Sequence, residues 1–116
     1  MAVLTYRRLT PEDVPLFAEM RIRQLREEGA AETLDLMPAL LRYYDEHLTD
    51  GTFVSWLAVC EGTIIGTSGM SFVEKPPYYS NPTGKIGLLS SMYTHPDYRR
   101  KGIARALLDR VVAEAR

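Results

Sequence analysis

The run His95-Pro96-Asp97-Tyr98-Arg99-Arg100-Lys101-Gly102-Ile103-Ala104-Arg105-Ala106-Leu107-Leu108 joins a basic turn to the opening of an apolar helix. Backbone N–H groups in the first turn of a helix have no partner within the helix and point at whatever lies beyond its end. A glycine at 102 lets the backbone pass close to a ligand, and a small residue at 104 permits tight packing one step later. Arg99, Arg100, Lys101 and Arg105 add positive charge where the helix dipole already favours anions. The chemistry this arrangement suits is the binding of a compact, phosphate-bearing ligand.

The elements around that turn follow from periodicity. Residues 3–9 alternate and read as a strand, stopped by Thr10-Pro11-Glu12-Asp13. Thr10 as N-cap, Pro11 in the first helical turn and the two acids predict a helix through about Glu28, ended by Gly29, with Val14, Phe17, Ala18 and Leu25 as its buried stripe. Met37, Leu40, Leu41, Tyr44 and Leu48 recur at three- and four-residue steps and predict a second helix. Pro38 marks its start or a kink, which leaves residues 30–36 as a loop or separate turn. Residues 52–59 read as a strand, Glu61-Gly62 as a hairpin turn, and residues 63–72 as the returning strand. The segment from Glu74 to Gly84 is dense in turn formers and leads to a fourth strand at Lys85–Thr94. A third helix follows from Ile103 to Ala115, with Ala104, Leu107, Leu108, Val111 and Ala115 on one face. The predicted order is β-α-α-β-β-β-α in one α/β (α+β) domain, residues 1–116, with no internal repeat.

Composition narrows the classes. Hydrophobic residues at 46% and charged residues at 25% are those of an ordinary globular domain. Residues 1–58 hold 6 basic against 10 acidic side chains, and residues 59–116 hold 8 against 5. Half of those eight basic residues sit in the single turn, so an extended nucleic-acid surface is disfavoured. Cys60 is the lone cysteine, which allows neither an intrachain disulfide nor a metal-ligand cluster. With no leader pattern at the N-terminus and no membrane-length apolar run, a cytoplasmic location without nucleic-acid or membrane partners is expected.

Arg99-Arg100-Lys101-Gly102-Ile103-Ala104, between a strand ending Met92-Tyr93-Thr94 and an apolar helix, resembles the Arg/Gln-x-x-Gly-x-Gly/Ala signature of the GCN5-related N-acetyltransferase (GNAT) superfamily. The His95-Pro96-Asp97-Tyr98 lead-in and the element order are similar to that family too. The resemblance implies a mostly antiparallel mixed sheet flanked by helices, and transfer of an acetyl group from acetyl-CoA to a small-molecule or peptide amine, with no metal. It implies a pyrophosphate cradle at residues 100–105 with Arg99 beside it, and pantetheine lying along Met92, Tyr93 and Thr94, where a bulge splays the strand. Direct attack by the neutral amine needs a base, an acid for the departing thiolate and a backbone N–H for the carbonyl oxygen.

For the catalytic groups the sequence offers Ser90 and Ser91, in the strand where the family places polar groups beside the thioester, and His95, whose imidazole is a candidate base. Glu74 and Glu32 are further candidate bases. Tyr78 and Tyr79, in the Pro-rich loop, are candidate walls for the acceptor, while Tyr93 reads as a cofactor-side or core residue and Trp56 as a core residue. Family members continue past the third helix with further strands and a tyrosine-bearing helix, whereas this sequence stops at Arg116. The expectation is therefore a domain lacking those strands and the fourth helix, complemented by a C-terminal segment or a partner chain, with a homodimer among the options. The alternatives to an active enzyme are a non-catalytic acyl-CoA-binding or assembly module and an inactive fragment of a longer acetyltransferase.

Overall fold

The computed structural model describes residues 3–115, so the sequence readings at Met1, Ala2 and Arg116 concern positions outside the described residues. The elements are β1 (Leu4–Arg8), a 3₁₀ turn (Pro11–Asp13), α1 (Val14–Glu27), α2 (Met37–Asp50), β2 (Phe53–Val54), β3 (Trp56–Cys60), β4 (Thr63–Glu74), β5 (Lys85–Thr94), a second 3₁₀ turn (Pro96–Tyr98) and α3 (Ile103–Ala113). Among the described residues all strand pairings are antiparallel. β4 is central, with β3 and β2 end to end along one edge, β1 outside β3, and β5 along the other edge. This is the expected mixed α+β architecture.

Helices cover both faces of the sheet. On one, Phe17 and Ala18 of α1 and Tyr44 of α2 pack with Phe53 and Leu57. The Phe17 and Tyr44 rings meet edge to face at 4.9 Å. On the other, Ile103 and Leu107 of α3 pack with Ala58, Cys60 and Ile65. Within α3 the fully buried stripe is Ile103, Leu107 and Val111. Ala104 and Ala115 are exposed and Leu108 is only half-buried, which turns the expected apolar face by about one residue and frees Ala104 to face solvent. Leu25 of α1 is likewise only half-buried, and Met20 joins the core instead.

The strand expected over residues 52–59 is split at Ser55. Ser55, 2% exposed, donates from Oγ to the Ser68 carbonyl at 2.5 Å. Ser68, fully buried in β4, accepts from the Trp56 N–H at 3.0 Å and donates to the Trp56 carbonyl at 2.8 Å. Side-chain hydroxyls thus take over from the ladder between β2 and β3, satisfying polar groups that burial would otherwise leave costly. Beyond the split, β3 returns into β4 through Glu61 and Gly62, both at positive φ (50° and 79°), the conformation that a tight two-residue hairpin requires.

α1 is launched by a charge-assisted cap. Asp13 accepts from the Thr10 N–H and hydroxyl, both at 2.9 Å, and bidentately from Arg7 at 2.7 and 2.9 Å. The Arg7 guanidinium holds the Asp13 carboxyl well below the usual carboxylate range. A depressed native value contributes stability above the unfolded value, about 3.9, and loses it as pH falls. Replacing Asp13 with Asn should therefore flatten the fall in stability between about pH 5 and pH 2, measured by urea midpoints across that range. Ser68→Ala strands the Trp56 N–H and carbonyl beside a fully buried position, and should cost about 1–3 kcal/mol in the same assay with an unchanged m-value.

Candidate functional site

β5 carries a bulge near its C-terminal end. Gly69 pairs with Ser90 and Thr67 with Tyr93, so two residues of β5, Ser91 and Met92, oppose Ser68 alone. Ser91 takes φ +55°, an uncommon value for a non-glycine residue and one that lets a strand absorb an extra residue. Its side chain is buried at 4% exposure, beside the Tyr44 hydroxyl. Its carbonyl accepts from Thr67 Oγ1 at 2.7 Å.

Beyond the bulge the strand's free edge is organised by parity. The His95 N–H donates to the Ile65 carbonyl at 2.7 Å, so Tyr93 gives its backbone groups to β4 while Met92 and Thr94 turn theirs to the outer edge. Along that edge the Met92 carbonyl accepts from Gln24 Nε2 of α1 at 3.1 Å, and Gln24 is itself held by Arg21 at 3.0 Å. The Thr94 carbonyl accepts from Arg99 Nε at 2.8 Å. With both carbonyls engaged, the outward N–H groups of Met92 and Thr94 are what the edge offers a ligand. Among the described residues no strand pairs with this edge of β5.

The strand then runs into the basic turn. Arg100 at φ +66° and Gly102 at φ +77° reverse the chain twice within three residues. Alternating handedness of this kind gathers successive N–H groups into a concave nest. Gly102 also sits at the N-cap of α3, and its carbonyl accepts from the Ala106 N–H at 3.1 Å, the first bond of the helix. Among the described residues, the backbone N–H groups of residues 100–105 have no acceptor. They border a pocket of about 180 Å³ lined by Thr94, Tyr98, Arg99, Arg100, Gly102, Ile103, Ala104 and Arg105.

The basic side chains are mostly committed elsewhere. Arg99 is tied back to Thr94 and lies 3.5 Å from Glu27, with its guanidinium over the Tyr93 ring. Arg105 pairs with Asp109 at 3.0 Å, and the Lys101 ammonium lies 5.5 Å from the Tyr98 ring centre. Tyr93 is buried beneath this cluster, and burial together with the Glu27 carboxylate pushes its hydroxyl up. His95 Nδ1 accepts from the Asp97 N–H at 3.2 Å, so this ring caps the turn into the helix.

Some sequence candidates lie apart. Tyr78 and Tyr79 are exposed in the β4–β5 connection, where Tyr78 and Asn81 exchange backbone bonds of 3.1 and 2.9 Å. Six residue steps along the strand lead from Lys85 to Ser91, roughly 20 Å at the rise of a β-strand, so these tyrosines stand far from Ser91. Glu74 ends β4 near the same tip, and Glu32 is paired with Arg26 at 2.7 Å. Thr67, Gln24 and Tyr44, which do surround the bulge, carry no sequence signal beyond their places on a strand and two helices. Among the described residues, no group of three or more His, Cys, Asp or Glu side chains is placed to hold a metal ion, and no helix is long and apolar enough to cross a membrane.

The comparisons with known proteins agree with this geometry. A predicted acetyltransferase from Clostridium acetobutylicum, solved with acetyl-CoA, superposes with a TM-score of 0.94 at 38% identity, covering 97% of this chain and 73% of that one. A GCN5-related N-acetyltransferase from Ralstonia eutropha gives 0.88 at 27% identity, covering 97% and 75%. No curated protein matches. The model of the acetyltransferase (GNAT) family matches residues 17–116, a span that takes in most of α1, all of α2, the bulge and the N–H nest. With a similar solved structure at 38% identity besides, this chain belongs to the GNAT acetyltransferase family.

Proposed function

We propose that the chain transfers an acetyl group from acetyl-CoA to a small-molecule or peptide amine by direct attack within a ternary complex. The observation that carries this reading is the continuous track from the bulge to the nest: the outward N–H groups of Met92 and Thr94, followed by the unpaired N–H groups of residues 100–105. An extended amide-bearing arm ending in a pyrophosphate matches that order of donors, and the similar structure from Clostridium acetobutylicum was solved with acetyl-CoA. Phosphate oxygens accept from the nest and the first turn of α3, where aligned peptide dipoles favour negative charge. Arg100, whose side chain makes no ion pair among the described residues, adds its charge at the rim.

The arm pairs with β5 as an added strand would, which sets the thioester beside Ser91 and Met92. As the amine nitrogen bonds to the carbonyl carbon, negative charge grows on the carbonyl oxygen, and a backbone N–H at the bulge stabilises it. The tetrahedral centre then collapses with loss of the C–S bond, the amine proton leaves to a base and the thiolate takes up a proton. Ser90, Ser91 and His95 are the candidate groups from this chain for moving those protons. Since the attacking amine must be neutral, turnover rises with pH until the amine is deprotonated. The buried Cys60 thiol is not needed for covalent catalysis, and a reducing, cytoplasmic setting suits it.

The test is thiol release from acetyl-CoA across a panel of amines, with CoA affinity measured by calorimetry. Amine-dependent release with saturable CoA binding is expected. Failure to bind CoA removes the reading, and tight binding without release on any amine replaces it with a non-catalytic acyl-CoA-binding module. The nest is tested by Ala104→Glu, an exposed site in the first turn of α3 where glutamate suits the helix but sets a carboxylate against the phosphates. CoA affinity should fall at least ~10-fold, with thermal stability changed by less than about 0.5 kcal/mol.

A further inference from the structure

The bulge leaves one peptide with an unusual partner. Everywhere else along β5, carbonyls facing β4 meet backbone N–H groups of the ladder, but the Ser91 carbonyl is held by a side chain, Thr67 Oγ1, at 2.7 Å. Thr67 is 3% exposed, lies one residue from the register shift, and has its hydroxyl wholly inside the protein. Among the described residues there are no cis peptides, so the Ser91 carbonyl and the Met92 N–H of the same peptide point in opposite directions. Anchoring the carbonyl towards β4 therefore aims the Met92 N–H at the outer edge. Ser90, paired with Gly69, treats the next peptide in the same way: its carbonyl faces β4 and the Ser91 N–H faces out. Two consecutive N–H groups thus emerge on the side where an ordinary strand would show one.

We infer that Thr67 is a positioning residue for acyl transfer: its hydroxyl fixes the Ser91–Met92 peptide so that the Met92 N–H meets the thioester carbonyl oxygen. The inference rests on the proposed acetyl-CoA site. A hydrogen bond accepted by a peptide carbonyl also polarises the N–H of that peptide, so Thr67 strengthens the donor as well as aiming it. The effect grows with the negative charge on the oxygen, which makes it larger in the transition state than in the bound thioester. Valine has the shape of threonine without the hydroxyl. Thr67→Val would leave the Ser91 carbonyl unsatisfied and the peptide free to turn about the two bonds that flank it, ψ of Ser91 and φ of Met92.

The experiment uses the full chain and its Thr67→Val and Thr67→Ser variants, with calorimetry of CoA binding and isotope-edited infrared spectra of acetyl-CoA labelled at the thioester carbonyl. Wild type and Thr67→Ser should show the carbonyl stretch shifted to lower frequency on binding. In Thr67→Val the shift should be largely lost, while CoA affinity, which is set at the nest, stays within about twofold. In the amine assay kcat should fall ~10-fold or more in Thr67→Val with little change in the KM for acetyl-CoA, and recover in Thr67→Ser. An equal infrared shift in wild type and Thr67→Val, or a Thr67→Ser variant as impaired as Thr67→Val, overturns the role given to Thr67 while leaving the acetyl-CoA site standing. Absence of CoA binding by the wild type overturns the site and this inference together. A Thr67→Val chain that fails to fold leaves Thr67→Ser against wild type as the deciding pair, and there a lost carbonyl shift counts against the role.

Discussion

Two neighbouring hydroxyls at the middle of β4, Thr67 and Ser68, govern what the sheet does on either side of it. Their side chains leave the strand towards opposite faces, as adjacent residues of a strand do. Ser68 reaches across to β3 and replaces ladder bonds with its own, which allows the chain to break at Ser55 and bend from β2 into β3. Thr67 reaches across to β5 and holds the carbonyl of the bulge. Both hydroxyls are buried, so each bond is formed where water cannot substitute and where an unpartnered group would be costly. The bend and the bulge are thereby fixed at the same level of one strand, with the closed end of the sheet on one side and an open edge on the other.

The height of the N–H nest above that edge is set by packing on the opposite face. α3 lies close to β4 because Gly66 has no side chain: a Cβ there would meet Leu107 at 3.1 Å and Ile103 at 3.2 Å. Ile103 and Leu107 are buried against Ala58, Cys60 and Ile65, and burial of side chains of that size contributes about 1.5–3 kcal/mol each. The first turn of α3 is therefore held to the core by its buried side chains, while its N–H groups face the pocket. From the other face, α1 grips the same region of β5 through Gln24 at Met92 and Glu27 near Arg99 and Tyr93. A ligand on the edge of β5 meets a surface braced from both sides, which limits the reorganisation needed on binding.

Much of this was legible in the sequence. The helices, the Glu61-Gly62 hairpin and the basic turn are written in local signals: caps, turn residues and a three-to-four-residue apolar rhythm. Ser55 shows why the rest was not. In a β-rich run from Thr52 to Val59, one serine gives no sign of a break, because the break depends on Ser68, thirteen positions away. The bulge was expected from the family resemblance and not from local signals: Ser90-Ser91 alone reads as ordinary strand polarity, and the hydroxyl that holds the Ser91 carbonyl, on Thr67, lies 24 positions away. Tyr78 and Tyr79 are a different case: loop composition shows that a segment can bind, and a ten-residue strand then sets that segment at the far end of β5 from the bulge. Ala104 lay on the expected apolar stripe, and only the packing of Ile103, Leu107 and Val111 turned it outward.

The concentration of positive charge that marks the turn in the sequence has a different part in the structure. Arg99 braces the strand, Arg105 is balanced by Asp109, and Lys101 leans on Tyr98, which leaves Arg100 as the basic side chain of the turn with no such partner among the described residues. Exposed ion pairs of this kind contribute little to stability and are screened by salt. The N–H nest differs on both counts: its donors are fixed by φ values and by the helix start, and they lose no side-chain entropy on meeting a phosphate. Side-chain charge can speed the approach of an anion over a distance of about a Debye length, some 8 Å at physiological ionic strength. Holding an anion in one register along β5, as the proposed function requires, needs donors that do not move, and the backbone N–H groups of this turn are donors of that kind.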